Sequence, residues 1–313
     1  MINQGSEMRE PISVKVVDFA RMLNLDIIYD GDSEEVVFST VNINRPGIVL
    51  AGYAEYFGHH RVQVMGNAEI MYILAQEPKV RREKLEFFFS QTFPCLIIGR
   101  GMSVPEDFLE IARLYHKPVL VSQQITTNLV NDLVMYLNDL LAPVANIHGT
   151  LLDVYGVGIL LTGDSGMGKS ETALELIKRG HRLVADDAVI VKNVRNVITG
   201  SAPEMIKFLM EIRGIGIINV RNMYGVGAVS NHKEIELVIH LERWDTSKQY
   251  DRIGDLEEYE EILDASIPKI DMPVIPGRNL AIIVEAAARN HRVKQKGYSA
   301  RDELENRRRN LFT

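Results

Sequence analysis

In the first 135 residues, short runs rich in β-branched and apolar residues alternate with segments whose apolar positions recur at helical spacing. The runs EEVVFSTV, GIVLAGY, RVQVMG, CLIIGR and KPVLVS read as strands. Between the last two, PEDFLEIARLYH puts Phe108, Ile111, Ala112 and Tyr115 on one helical face, and AEIMYILAQ reads as another short helix. Connections of this length are those of α/β units, so the pattern predicts an α/β domain over residues 1–135 with no Gly-rich phosphate loop of its own. ITTNLVNDLVMYLNDLLAP then carries Leu129, Leu133, Val134, Leu137, Leu140 and Leu141 on one stripe and ends at Pro143. It predicts a long helix bridging two halves, with the domain boundary near residue 135.

Residues 136–313 form the second predicted domain. ANIHGTLLDVYGVGILLTG reads as a hairpin followed by a strand, and further strands continue through ELVIHLERW. The ending is helical: GRNLAIIVEAAARNHRVKQKG sets Leu280, Ile283, Val284 and Ala287 on one stripe and stops at Gly297. SARDELENRRR opens with a capping box formed by Ser299 and Asp302.

Composition narrows the function classes. With 23 Gly and 11 Pro in 313 residues, no long disordered tract is expected. The formal net charge of -7 argues against nucleic acid as the main partner, since a phosphate backbone is bound through a basic field. NRRRNLFT is the one basic cluster and reads as a solvated helix end. Cys95 is the only cysteine, so no intrachain disulfide can form, and its apolar run FPCLIIGR predicts a buried, unreactive thiol. The opening MINQGSEMREPISV lacks the apolar core of a secretory signal, and runs such as LAIIVEAAA are too short to span a bilayer. No membrane association is expected, and a cytoplasmic protein is. The adjacent His59 and His60 point apart on regular backbone, which favours surface histidines over a zinc site.

The sharpest chemistry is in ILLTGDSGMGKSETALELIKRG. Gly163, Gly168, Lys169 and Ser170 satisfy G-x-x-x-x-G-K-[ST], with Asp164, Ser165, Gly166 and Met167 completing the loop. An apolar strand feeds the loop, and a helix leaves it with Ala173, Leu174 and Ile177 on the sheet side. Glycines let backbone N–H groups turn toward phosphate oxygens, the helix N-terminus adds positive potential, Lys169 reaches the β- and γ-phosphates, and the Ser170 hydroxyl suits Mg²⁺. On the following strand, HRLVADDAVIV ends an apolar run with Asp186 and Asp187. An acid there can order Mg²⁺ or serve as a general base, and an Asp-Asp turn is the bland alternative. Spacing does not say which aspartate acts. In MEIRGIGIINVRNMYG, Glu211 and Arg213 precede small residues that allow close backbone approach to a ligand, or simply a β-turn. WDTSKQYDRIGD and MPVIPGR are loop-like and deliver Arg252 and Arg278, whose guanidinium forks suit phosphoryl oxygens.

Taken together, GDSGMGKSETALELIKRGHRLVADDAV, EIRGIGIINVRNMYG, YDRIG, MPVIPGR and the upstream NIHGTLLDVYG resemble the bifunctional HPr kinase/phosphorylase family of bacteria, in that family's order and near its spacing. The resemblance implies a catalytic domain similar to the nucleotide-binding core of phosphoenolpyruvate carboxykinase, behind an α/β N-terminal domain, in a hexamer. It implies phosphorylation of a regulatory serine of the phosphocarrier protein HPr by ATP or pyrophosphate with Mg²⁺, in control of carbon catabolite repression. It also implies the reverse reaction, in which inorganic phosphate strips the phosphoserine and leaves as pyrophosphate. Carried over residue by residue, the loop from Gly163 to Ser170 is the ATP site, with Lys169 catalytic and Ser170 on Mg²⁺. Asp187 is the general base, Glu211 a Mg²⁺ ligand, and His148 and Arg252 are active-site residues. The resemblance ties EIRGIGIIN to both reactions and the segment Pro273, Val274, Ile275, Pro276, Gly277 and Arg278 chiefly to dephosphorylation. Met167 replaces the smaller aliphatic residue more usual in the loop, at a position that offers mainly its backbone. A P-loop kinase for a small metabolite and a nucleotide-dependent switch are the competing readings, and neither calls for all five segments at once.

Overall fold

The computed structural model describes residues 9–53, 55, 57–248, 258–275 and 277–311. The chain divides into two compact units, Met1–Ala142 and Pro143–Thr313.

The first unit runs β1 (Ile12–Lys15), α1 (Val16–Leu23), β2 (Leu25–Tyr29), β3 (Glu35–Phe38), β4 (Ile43–Asn44), α2 (Gly47–Leu50), β5 (Val62–Met65), α3 (Asn67–Leu74), α4 (Pro78–Ser90), β6 (Leu96–Ile98), α5 (Glu106–Leu114), β7 (Val119–Ser122) and α6 (Thr126–Leu140). Strands β4 to β7 are parallel neighbours in chain order, β2 joins β7 antiparallel, and β1 pairs with β3 as a separate ribbon. Both faces of the sheet are covered, and the strands are therefore continuous apolar runs rather than alternating ones. On one face Met65, Ile98 and Val121 meet Leu50, Ile73, Phe88 and Phe108 from α2 to α5. On the other, Val64, Ile97 and Leu120 meet Phe19 of α1 and Leu129, Leu133 and Leu137 of α6. Cys95 is fully buried on that second face, and burial pushes its thiol far above the usual range, so it is a packing residue.

Two features depart from the sequence expectation. GIVLAGY is not a strand: Gly47–Leu50 is a single helical turn whose Val49 and Leu50 are buried. A short apolar run has no period long enough to distinguish the two, and Pro46 immediately before it favours a helix start. The domain division also falls after α6 rather than within it at residue 135, because the leucine stripe of that helix is sealed into the first unit's core.

The second unit runs β8 (Val144–His148), β9 (Thr150–Val154), β10 (Val157–Gly163), α7 (Lys169–Lys178), β11 (Arg182–Ala185), β12 (Ala188–Val194), β13 (Val197–Ser201), β14 (Leu209–Ile212), β15 (Gly216–Asn219), α8 (Val220–Tyr224), β16 (His232–Glu234), β17 (Leu237–Arg243), β18 (Glu258–Ile262), β19 (Ala265–Val274), α9 (Leu280–Gln295) and α10 (Ala300–Leu311). A six-stranded sheet has the order β11-β9-β10-β17-β19-β18, and a four-stranded sheet the order β16-β13-β12-β8. Helices α7 and α9 cover one face of the larger sheet through Ala173, Leu176, Ile177, Val284 and Ala288. The smaller sheet covers the other, with Val189, Val191 and Ile198 against Leu151, Leu160 and Val238. The expected hairpin exists, but it is β9 with β10; β8 leaves for the smaller sheet, where it pairs with β12. Gly149 marks the crossing, since a Cβ there would lie 2.7 Å from the Leu161 carbonyl oxygen. At the chain's end, the Asp302 N–H donates to Ser299 Oγ at 3.2 Å, the backbone half of the expected capping box.

β10, β17 and β19 are parallel, so Gly163, Arg243 and Val274 end along one edge of the sheet. Ligands in α/β sheets bind outside such an edge. The fold thus delivers the glycine-rich loop and the MPVIPGR segment to the same side.

Candidate active site

The loop between β10 and α7 is held by glycines whose backbone no other residue adopts cheaply. Gly163 has φ +127°, and a Cβ there would lie 2.3 Å from the Leu241 carbonyl oxygen of the neighbouring strand. Gly168, at φ +86°, forms the N-cap of α7. Met167 is buried in the core between sheet and helices, so its side chain faces away from the loop's concave side, in keeping with a position that serves through its backbone. Lys169 is only 8% exposed, and its Nζ donates to the carbonyls of Gly163 at 2.8 Å and Asp164 at 3.1 Å. The ammonium therefore bridges the two ends of its own loop.

Opposite the loop, Asp186 and Asp187 form the tight turn that carries the chain from β11 in the larger sheet to β12 in the smaller, with the Ala188 N–H donating to the Asp186 carbonyl at 2.9 Å. The turn and the acid site are one feature. Asp186 is 4% exposed; its carboxylate accepts from Thr150 Oγ1 at 2.6 Å, from Ser170 Oγ at 3.1 Å and from the Glu211 backbone N–H. Burial pushes its carboxyl above the ordinary range, against the pull of those hydrogen bonds, and the neighbouring Asp187 adds to the rise. The native state thus keeps its proton to a higher pH than the unfolded chain, whose aspartate titrates at about 3.9. Stability of the protein without nucleotide or divalent ion is expected to fall as pH rises from about 4 through the native value. Asp186→Asn removes that component. Melting temperatures of both proteins across this range check it, and parallel curves would contradict it.

Asp187 differs in every respect. Its side chain is 72% exposed and its backbone sits at φ +69°, a strained conformation for a residue with a Cβ. The strain is held in place by β8. Its pairing with β12 sets His148 across from Ala188, so that His148 Nδ1 lies 2.9 Å from the Asp187 carbonyl oxygen and 3.2 Å from Oδ1. The Gly149 N–H adds a second contact to that carbonyl, at 3.2 Å. His148 thereby orients a carboxylate that remains open to a substrate.

The third wall is the ribbon of β14 and β15. Met210 and Ile212 anchor it in the core, which turns Glu211 toward the pocket, and Arg213 donates to Ser165 Oγ at 3.0 Å. His148, Ser165, Gly166, Gly168, Lys169, Ser170, Asp187 and Glu211 of the predicted site thus line one pocket. Thr150, Glu171, Asp186 and Arg213 line it as well. Thr150 is an unforeseen participant, and its only signal was a polar residue inside an apolar strand; Glu171 carried no signal. Pro273, Val274, Ile275, Gly277 and Arg278 lie outside this lining, at the end of β19 and in the turn before α9 where the Arg278 N–H donates to the Ile275 carbonyl at 3.1 Å. Arg252 and Pro276 lie outside the described residues.

Among the described residues, no three His, Cys, Asp or Glu side chains form a metal cage. Mg²⁺ seldom uses one; it is held by one or two carboxylates and substrate phosphates. The Ser170 hydroxyl, the buried Asp186 carboxylate and Glu211 are oxygen donors beside the glycine-rich loop, and a carboxylate strained by burial is one that a cation relieves. The residues present fit the ion. A phosphate cradle facing an exposed, oriented carboxylate is equipped for phosphoryl transfer to or from a hydroxyl.

Comparison with known proteins agrees. The family described as HPr Serine kinase N terminus matches residues 14–137, and HPr Serine kinase C-terminal domain matches residues 139–308. A protein of Caldanaerobacter subterraneus subsp. tengcongensis named HPr kinase/phosphorylase is 48% identical, over 93% of this chain and 96% of its own. A protein of the same name from Alkaliphilus metalliredigens is 46% identical, over 94% and 96%. Among solved structures, the HPr(Ser) kinase/phosphatase from Coxiella burnetii covers 52% of this chain and 97% of its own at 39% identity, with a TM-score of 0.46. Matched along both units and to relatives at nearly full length, the chain belongs to the HPr kinase/phosphorylase family.

Proposed function

We propose that the protein moves a phosphoryl group from ATP or pyrophosphate to a serine of HPr, and that it also runs the reverse with inorganic phosphate. The observation that carries this reading is the juxtaposition of Lys169 and Ser170 on the loop with the open carboxylate of Asp187, in a chain of this family. In the forward reaction the serine Oγ attacks the terminal phosphorus while Asp187 takes its proton, and the bond to the bridging oxygen breaks to release ADP. In reverse, a phosphate oxygen attacks the phosphoserine phosphorus, and the leaving serine oxygen recovers its proton from Asp187, which yields pyrophosphate. The attacking phosphate occupies roughly the β-phosphate position of ATP, so one cradle serves both directions. Bound Mg²⁺, on Ser170, Glu211 and Asp186, would neutralise phosphate charge. His148 keeps Asp187 oriented, and Lys169 and Arg252 act on the charge of the transferring group.

The same reading includes a hexameric assembly, a catalytic domain like the nucleotide-binding core of phosphoenolpyruvate carboxykinase behind an N-terminal α/β domain, and a cytoplasmic setting with its supply of ATP. No helix among the described residues is long and apolar enough to cross a membrane. The test is direct: purified protein with HPr, Mg²⁺ and ATP should form phosphoserine-HPr, and phosphoserine-HPr with inorganic phosphate should release pyrophosphate. Failure of both reactions rejects the reading.

Arg278 supplies a finer expectation. It follows Gly277, at φ +84°, on the strand edge shared with the phosphate loop, yet outside the Lys169 pocket. Arg278→Ala is expected to lower phosphorolysis about ten-fold more than the kinase reaction, a size typical of one lost charge-assisted contact. Equal loss in both directions contradicts it.

A further inference from the structure

The ribbon of β14 and β15 has two unlike faces. Met210, Ile212 and Ile218 pack it against the core. On the other face Ile217 stands directly across from Glu211, so their Cβ atoms are about 5 Å apart. Ile217 is 73% exposed, and so is Ile215, at the turn between Gly214 and Gly216. Both glycines have positive φ, and no atom lies within 4 Å of where a Cβ would be at either, so the turn projects openly. Such turns favour Gly, Asn, Asp and Ser, and a β-branched apolar residue adds nothing to their geometry. A single exposed isoleucine needs no explanation. Two of them, one across from a pocket-lining carboxylate and one on the adjoining turn of a ribbon whose back is fixed to the core, do.

We propose that Ile215 and Ile217 form an apolar ledge at the mouth of the phosphate pocket, on which the acceptor protein seats apolar side chains next to its serine. This rests on the reading that the pocket transfers phosphoryl groups to and from a protein. Because Glu211 lines the pocket with Asp187 and Ile217 is its cross-strand neighbour, the residues flanking a serine at Asp187 come within reach of that face of the ribbon. A small-metabolite acceptor would have no use for such a ledge. The same docking precedes both directions of transfer, so the ledge serves phosphorylation and phosphorolysis alike.

The test is the double variant Ile215→Ser/Ile217→Ser, whose changes are at exposed positions. The KM for HPr and for phosphoserine-HPr is expected to rise at least about ten-fold, the size of losing partial burial of two isoleucines, with ATP affinity unchanged and any fall in kcat smaller than the rise in KM. Ile217→Val alone should keep most of the wild-type KM. Wild-type protein that fails on both substrates rejects the transferase reading itself. Active wild type with an unchanged KM in the double variant overturns the ledge alone. So does a parallel loss of ATP affinity, which would make the isoleucines supports of the loop, or a change in oligomeric mass, which would make them a subunit contact.

Discussion

Asp187→Asn is expected to lose phosphoryl transfer in both directions by about 1,000-fold, within the range measured for loss of a general base. Asparagine keeps the shape of the side chain and its approach to His148, but it cannot take a proton. Because the Asp187 side chain is largely exposed, removing its charge costs the fold little, and ATP affinity should remain close to that of the unaltered protein. The equally near Asp186 offers a sharp contrast. It is 4% exposed, and its carboxylate is already taken up by Thr150, Ser170 and the Glu211 backbone, which leaves it far less open to a serine hydroxyl than Asp187 is. Burial thus favours Asp187 as the base, where spacing leaves the two aspartates equivalent. Rates in both directions, with ATP binding measured alongside, check the assignment; retained phosphorylation would move the base role to another group.

Gly163→Ala is expected to destabilise the second unit by about 3 kcal/mol or more, adding the cost of positive φ to that of an immovable clash. The added methyl would lie 2.3 Å from a backbone oxygen of β17, which cannot yield without breaking the β10–β17 pairing. For a unit of this size the melting temperature should fall on the order of 10 °C. ATP binding should be lost with it, since the same distortion displaces the carbonyl that accepts from Lys169. Gly166→Ala is the control: it shares a positive φ, but its methyl would meet only the movable end of the Arg213 side chain. Thermal melts and ATP titration of the two variants separate clash from dihedral strain. Equal melting temperatures would refute the close-approach argument.

Segments long enough to repeat a period are legible from their residues alone. The stripe of α6, the helix of Phe108 and Ile111, and the strand-loop-helix around Lys169 all appear where their patterns put them. GIVLAGY misleads because one helical turn and one short strand present the same apolar run. The hairpin is shifted by one strand: β9 pairs with β10, while β8 pairs with β12 in the other sheet. The choice between them depends on Gly149, where the chain passes from one sheet to the other.

A few consecutive residues are enough to specify a glycine-rich loop between an apolar strand and a helix, with two acids after the next strand, because each of those signals is local. Which of the acids is open to a substrate is a different matter, settled by the packing of the strands. The same packing brings His148 within 3.2 Å of Asp187, recruits Thr150 to Asp186 and sets Ile217 beside Glu211. Those relations join residues on different strands or on the turns between them. Burial and register are properties of how strands pair, and no local pattern of hydrophobic and polar residues encodes the partner.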